Sequence, residues 1–261
     1  MKKIINTSVA PIYREPSFNS EMVTQALLWE SVTVIEQKND WLKVEQWDGY
    51  VGWIQSFYLT TVEKKKTGSV IIQDRLSPIY SRPSVAADII DYLSVGTEIP
   101  GNAIIDQTPP FLKFAYPDNT TGYLFKKKAY EVDTRKTLVR TGLKLHGTPY
   151  LWGGKSGFGF DCSGFIQTLF FSIGVELPRD SHQQYEKLKP VELHSASPGD
   201  LVFFRTNDKI SHVGIYMHVE RFIHCSGSVK INSLNCDDPL YESWVTEKFD
   251  SIRTIKPIIT K

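Results

Sequence analysis

Apolar residues in the N-terminal half of the chain come in short bursts of strand character. Residues 31–37, 41–46 and 50–54 are rich in β-branched and aromatic side chains, with turn chemistry at Asn39-Asp40 and Asp48-Gly49. Residues 97–99, 111–115 and 122–125 repeat this texture around Pro109-Pro110 and Asp118-Asn119. The likeness extends to the letters. Pro11-Ile12-Tyr13-Arg14-Glu15-Pro16-Ser17 returns as Pro78-Ile79-Tyr80-Ser81-Arg82-Pro83-Ser84, and Gly52-Trp53 returns as Gly122-Tyr123. The first pair is offset by 67 positions and the second by 70, so the second copy carries a short insertion. Self-similarity of this length indicates a duplicated small β domain, expected as two small closed barrels over 1–62 and 68–130. The run Glu63-Lys64-Lys65-Lys66-Thr67-Gly68 between them reads as a solvated connector.

After about residue 130 the period changes. Residues 134–146 place Leu138, Val139, Leu143 and Leu145 on a helix, with Asp133 or Thr134 as N-cap and Gly147 as stop. A glycine-rich stretch, 153–159, leads into a second helix over 163–173. There Phe165, Ile166, Leu169, Phe170 and Ile173 recur at helical spacing and Gly174 closes the run. A third, short helix is expected at 181–187. The remainder reads as strands at 201–204, 212–217, 221–225, 229–234 and 251–255. Helices followed by a run of strands make an α+β domain over 131–261.

Composition narrows the function classes. Among 261 residues, 30 basic and 29 acidic side chains nearly cancel, which gives no electrostatic case for nucleic acid or an anionic membrane surface. No apolar run reaches the roughly 20 residues of a spanning helix. Near the amino terminus Asn6, Thr7, Ser8, Pro11 and Arg14 interrupt any h-region, so a cytoplasmic location is expected. The three cysteines, 162, 225 and 236, form neither a disulfide framework nor a zinc-type pair.

Cys162 stands where the glycine-rich loop turns into the second helix. A thiol there faces unpaired amides and the positive end of the helix dipole, which favour thiolate and could also bind an oxyanion. The plain alternative is a buried core cysteine. His212 is expected to open one strand and His224 to close the next, and a short turn near 217–220 would bring them side by side. That is a base and its orienter, the company a cysteine nucleophile needs. Each could instead be a structural histidine, and the three side chains together could bind zinc.

Asp161-Cys162-Ser163-Gly164-Phe165, preceded by Pro149-Tyr150-Leu151-Trp152-Gly153-Gly154, resembles the nucleophile motif of NlpC/P60 peptidases. Pro198-Gly199-Asp200-Leu201-Val202-Phe203-Phe204 with Ser211-His212-Val213-Gly214-Ile215-Tyr216 resembles their second motif, and Phe222-Ile223-His224-Cys225-Ser226 their third. The repeated N-terminal halves resemble bacterial SH3 (SH3b) domains. The whole arrangement is similar to γ-D-glutamyl-L-diamino acid endopeptidases.

The resemblance implies a papain-like NlpC/P60 domain preceded by two SH3-like β-barrels, with no cofactor and no metal. It implies cleavage between D-glutamate and a diamino acid in murein-derived peptides that begin with a free L-alanine amine, in wall-peptide recycling. It gives Cys162, His212 and His224 the catalytic roles, and gives Asp161, Tyr150 and Ser163 a pocket for the substrate ammonium. Asp161 could equally be an N-cap. From the first SH3b domain, Glu15 and Tyr50 would face the same pocket; the plain alternatives are a solvated loop charge and barrel core. A competing reading is a wall-binding SH3b protein whose papain-like domain is an acyltransferase or inactive.

Overall fold

The computed structural model describes residues 1–61, 68–126 and 134–259. The lysine run 63–67 and the candidate cap Asp133 lie outside the described residues. The chain divides into two compact units, Met1–Tyr130 and Glu131–Lys261.

In the first unit, β1 (Lys2–Ile5), β2 (Val9–Tyr13), β3 (Met22–Leu27), β4 (Ser31–Lys38), β5 (Trp41–Glu45), β6 (Val51–Gln55) and β7 (Leu59–Thr60) form one antiparallel sheet in the order β3-β2-β6-β5-β4-β1-β7. The second copy contributes β8 (Ser69–Ile71), β9 (Leu76–Tyr80), β10 (Ile89–Ser94), β11 (Glu98–Pro100), β12 (Ile104–Asp106), β13 (Phe111–Ala115) and β14 (Thr121–Phe125). Its main sheet, β10-β9-β14-β13-β12, reproduces the order β3-β2-β6-β5-β4, and the β8–β11 pair matches β1–β4.

The duplication persists at atomic scale. The Ser17 amide donates to the Glu15 carbonyl and the Ser84 amide to the Arg82 carbonyl, each at 2.7 Å. A Cβ on Gly52 would sit 2.5 Å from a methyl of Ile12, and one on Gly122 would sit 2.4 Å from a methyl of Ile79. The repeated glycine exists so that the repeated isoleucine can lie against the neighbouring strand. The copies also share a core, because Ile4, Leu28 and Trp29 pack with Ile79, Leu93 and Leu112. Strands such as Val9–Tyr13 and Met22–Leu27 were not foreseen, since Pro11 and the mixed polarity of Thr24-Gln25 hide them.

The second unit opens with α1 (Thr134–Lys144), and the β15 (Lys155–Ser156) and β16 (Gly159–Phe160) pair leads into α2 (Cys162–Phe171). After α3 (Ser181–Lys187) come β17 (Lys189–Val191), β18 (Leu201–Thr206), β19 (Lys209–Tyr216), β20 (Arg221–Ser226), β21 (Ser228–Ser233), α4 (Ser243–Thr246), β22 (Phe249–Thr254) and α5 (Lys256–Ile259). The sheet order is β17-β22-β18-β19-β20-β21, antiparallel throughout.

Its centre, Leu201-Val202-Phe203-Phe204, is apolar without alternation because both faces are covered. Val202 and Phe204 join Phe222, Val245 and Ile252 on one side. α2 is buried along nearly its whole length, with Phe165, Ile166, Leu169 and Phe170 inaccessible to solvent, which marks it as a central helix. A Cβ on Gly142 of α1 would sit 3.5 Å from Phe165, Leu169 and Ile223, so α1 packs onto α2 and β20. Leu143, expected on the apolar face, is exposed instead. β19 begins at Lys209, three residues before the expected start, so His212 lies inside a strand; a bulge opposite Phe204-Arg205 absorbs the extra residue.

Candidate active site

Asp161 caps α2, its Oδ1 accepting from the Gly164 amide at 2.7 Å. Cys162 is therefore the first residue of the helix, as the loop-to-helix reading requires. Gly164 is needed here, since a Cβ would lie 2.1 Å from the Gly154 carbonyl oxygen, and this contact seats the glycine-rich loop on the first turn.

β19 passes the thiol. Sγ lies 4.0 Å from the Ser211 carbonyl oxygen and accepts hydrogen bonds from the amides of Val213 and Ser163. The residues on either side of His212 thus both meet the sulfur. His212 Nε2 stands 2.6 Å from His224 Nδ1, and His224 Nε2 stands 2.7 Å from Asn232 Oδ1. The two-residue turn at Val219-Glu220, both at positive φ, folds β20 back beside β19 and sets Gly214 opposite His224. A Cβ on Gly214 would lie 3.0 Å from that of His224 and from the Ile223 carbonyl oxygen, so a larger residue would crowd the second histidine. With their nitrogens turned on each other and on Asn232, the histidines form a hydrogen-bonded relay, which is not the fan of separate donors that a zinc ion needs.

Electrostatics correct one expectation. The helix terminus was expected to favour thiolate, yet the Cys162 thiol is pushed up to about 12. Burial is the main cause and the Asp161 charge the second; the Val213 and Ser163 amides and Arg179 oppose them without prevailing. His212 is pushed down to about 3, chiefly by burial and then by His224, Lys230 and Lys248. His224 falls to about 4, again by burial, with its bond to Asn232 acting the other way. The thiol is therefore held neutral and so are the two imidazoles.

Asp161 is the N-cap that the sequence offered as one of its roles, and it has a further partner that the sequence did not point to. Its carboxylate does not await a substrate cation alone: Arg179 donates to Oδ1 at 2.9 Å and to Oδ2 at 2.5 Å, and to Ser163 Oγ at 3.0 Å. Arg179 is 2% exposed and the pair is desolvated. Tyr150 joins this group, its phenol raised by burial and by the neighbouring Cys162 and Asp161. The structure thus gathers Cys162, His212, His224, Asp161, Ser163 and Tyr150.

Glu15 and Tyr50 belong to the other unit. Glu15 is exposed in a turn, its amide held by Ser20 Oγ at 3.0 Å. Tyr50 is half-buried at the Asp48 turn just ahead of β6, and not in the barrel core. Two residues of the site went unforeseen. Arg179 lies one position before the Asp180 cap of α3. Asn232 could have been flagged as an amide inside an otherwise strand-like run, where that residue type is disfavoured.

Comparisons with known proteins place this geometry. The NlpC/P60 family model matches residues 147–250, and the bacterial dipeptidyl-peptidase Sh3 domain matches residues 12–57. A γ-D-glutamyl-L-lysine dipeptidyl-peptidase of Bacillus cereus is 30% identical over 242 residues, covering 83% of this chain and 72% of that protein. Dipeptidyl-peptidase 6 of Lysinibacillus sphaericus is 30% identical over 267 residues, covering 92% and 94%. The crystal structure of an NlpC/P60 family protein from Bacillus cereus superposes with a TM-score of 0.83 at 25% identity, over 97% of this chain and 99% of the other. With three motifs meeting at one buried helix terminus and relatives alike along most of its length, the chain belongs to the NlpC/P60 family of cell-wall peptide hydrolases and carries a bacterial SH3 domain ahead of the hydrolase domain.

Proposed function

We propose that this hydrolase is a cysteine peptidase with a papain-like catalytic unit, cutting the γ-D-glutamyl–diamino acid bond of murein-derived peptides that begin with a free L-alanine amine. The observation that carries the reading is the Cys162 thiol at the α2 terminus, held by the Val213 amide beside the His212–His224 relay. Relatives named as γ-D-glutamyl-L-lysine dipeptidyl-peptidases support the substrate class.

The chemistry follows from a neutral resting pair. As Sγ adds to the γ-carbonyl carbon, its proton passes to His212 Nδ1, the ring nitrogen not turned toward His224. Amides of the first turn of α2 stabilise the oxyanion. The C–N bond breaks as His212 returns the proton to the departing amine, leaving a thioester. Water, deprotonated by His212, then adds to the thioester carbon and releases the acid and the thiol. Asp161, with Ser163 and Tyr150 around it, receives the substrate ammonium. The second sheet copy is a second SH3-like domain. In this role the enzyme recycles imported peptides in the cytoplasm, and cell fractionation that found it outside would overturn the recycling role.

The test is incubation with L-Ala-γ-D-Glu-diaminopimelate and identification of products by mass spectrometry. L-Ala-γ-D-Glu and diaminopimelate are expected, and Cys162→Ser should keep its fold and lose nearly all turnover. Full activity in that variant would refute the nucleophile.

A further inference from the structure

We infer that Asn232 is a positioning residue of the reaction, one that fixes the direction of every N–H in the imidazole relay and so leaves a lone pair on His212 Nδ1 for the thiol proton. The inference rests on the peptidase reading for its purpose but not for its geometry.

Asn232 is buried, and its amide nitrogen donates to the Leu240 carbonyl oxygen at 2.8 Å. The same side chain is hydrogen-bonded to the Glu242 carboxylate. Carbonyl and carboxylate oxygens only accept, so both must meet the NH2 end of the amide, and the atom turned to His224 is the oxygen. That oxygen, 2.7 Å from His224 Nε2, also only accepts, so Nε2 carries the hydrogen. A neutral imidazole has one N–H, so His224 Nδ1 is a lone pair. It faces His212 Nε2 at 2.6 Å, which must then supply the hydrogen. His212 Nδ1 is thereby left as the acceptor.

Reversing the amide would turn an NH2 on His224 Nε2, reverse both tautomers, and place a hydrogen on His212 Nδ1 where a base is needed. It would also set the amide oxygen against the Leu240 and Glu242 oxygens. Glu242 is itself anchored, by Lys230 at 3.0 Å from both its oxygens and by the Trp244 indole. Held in this way, the Glu242 carboxylate stays where a turned amide would set its oxygen against it. Asn232 touches no reacting atom, so its effect falls on proton transfer and not on binding.

The test reads tautomers directly. In protein labelled with 15N-histidine, nitrogen chemical shifts at neutral pH should place the hydrogen on Nε2 of both His212 and His224. Asn232→Ser keeps a polar group but imposes no direction, since a hydroxyl can donate or accept. That variant should show mixed tautomers at His224, a kcat lower by ~10²-fold at unchanged KM, and a displaced acid limb of kcat. Asn232→Leu, of similar size, serves as the second variant should the serine variant fail to fold. A hydrogen on Nδ1 of either ring in the wild type overturns the inference. So does a variant whose tautomers match the wild type, even if kcat falls. Failure of the wild type to hydrolyse any wall peptide would instead count against the peptidase reading, since the tautomer measurement needs no substrate.

Discussion

Replacing Arg179 by methionine should be among the most destabilising single changes in the catalytic unit. The arginine side chain is 2% exposed and makes two bonds to the Asp161 carboxylate, at 2.9 and 2.5 Å. Removing it leaves the carboxylate in place, 12% exposed at the side chain, still accepting from the Gly164 amide and the Ser163 hydroxyl. Breaking a buried pair from one side costs about 3–5 kcal/mol, because the surviving charge loses both water and partner. Against a total of about 5–15 kcal/mol this is a large fraction, and a melting temperature lower by roughly 10–20 °C follows. The companion change Asp161→Asn removes the orphaned charge, so the double variant should recover about half or more of the loss. Urea unfolding of the four members of this cycle measures the coupling. If the two single changes simply add, the pair is not coupled and the reasoning fails. Arg179→Met should also slow alkylation of Cys162 by iodoacetamide, because the guanidinium charge favours thiolate and Asp161 opposes it.

Two predictions concern pH, since His224 is buried and His212 half-buried. Because His212 and His224 are held well below the ordinary histidine value, kcat/KM should keep its plateau below pH 6 and fall only in the carboxylate range; a midpoint near 6.5 would mean that the imidazole titrates as if exposed. For stability, His224 is neutral when folded down to about 4 but gains a proton near 6.5 when unfolded, so the unfolded state binds more protons in that window and stability falls as pH drops through it. The loss attributable to His224 is up to roughly 3 kcal/mol, and His224→Gln should flatten the slope of melting temperature between pH 6.5 and 4; an unchanged slope refutes the assignment. Cys236, exposed on the surface, should react with iodoacetamide at an ordinary thiol rate in every variant, which supplies the internal reference for Cys162.

What the sequence disclosed depended on whether local chemistry or tertiary contact decided the outcome. Helix α3 lies at Ser181–Lys187, where it was expected, and its capping box of Asp180 and Gln183 is a local signal of the kind a sequence can carry. The Cys162 position was legible for the same reason: glycines, a cap and a buried apolar run are local signals. The duplication showed in repeated letters because the same isoleucine-on-glycine contact recurs in each copy. The start of β19 was missed because a bulge answers to its partner strand and not to its own residues. Arg179 and Asn232 were missed because each acts across the fold, 18 residues from Asp161 and 8 from His224. The rise of the thiol was misjudged because a helix terminus can be read from sequence and desolvation cannot.

Selectivity for a free amine must be reckoned from the pair that the structure contains. An unpaired Asp161 would have been left stranded by acetylation of the substrate, at a cost of about 3–5 kcal/mol. With Arg179 in place the carboxylate keeps a partner whatever arrives, so that penalty does not arise. What acetylation removes is one charge-assisted hydrogen bond, about 1.5–3 kcal/mol, or roughly ten- to hundredfold in kcat/KM. The loss should not fall on binding alone. Asp161 is the second cause of the raised thiol, so a cation beside it acts on Cys162 in the same sense as Arg179, toward thiolate. If the substrate ammonium docks at Asp161 as proposed, it should help the attack as well as the docking, and the acetylated peptide should show a lower kcat together with a higher KM. Steady-state kinetics on L-Ala-γ-D-Glu-diaminopimelate and its N-acetyl form decide the matter. Equal kcat for the two peptides would show that the thiol does not sense the amine, and equal kcat/KM would remove Asp161 from the amine site altogether.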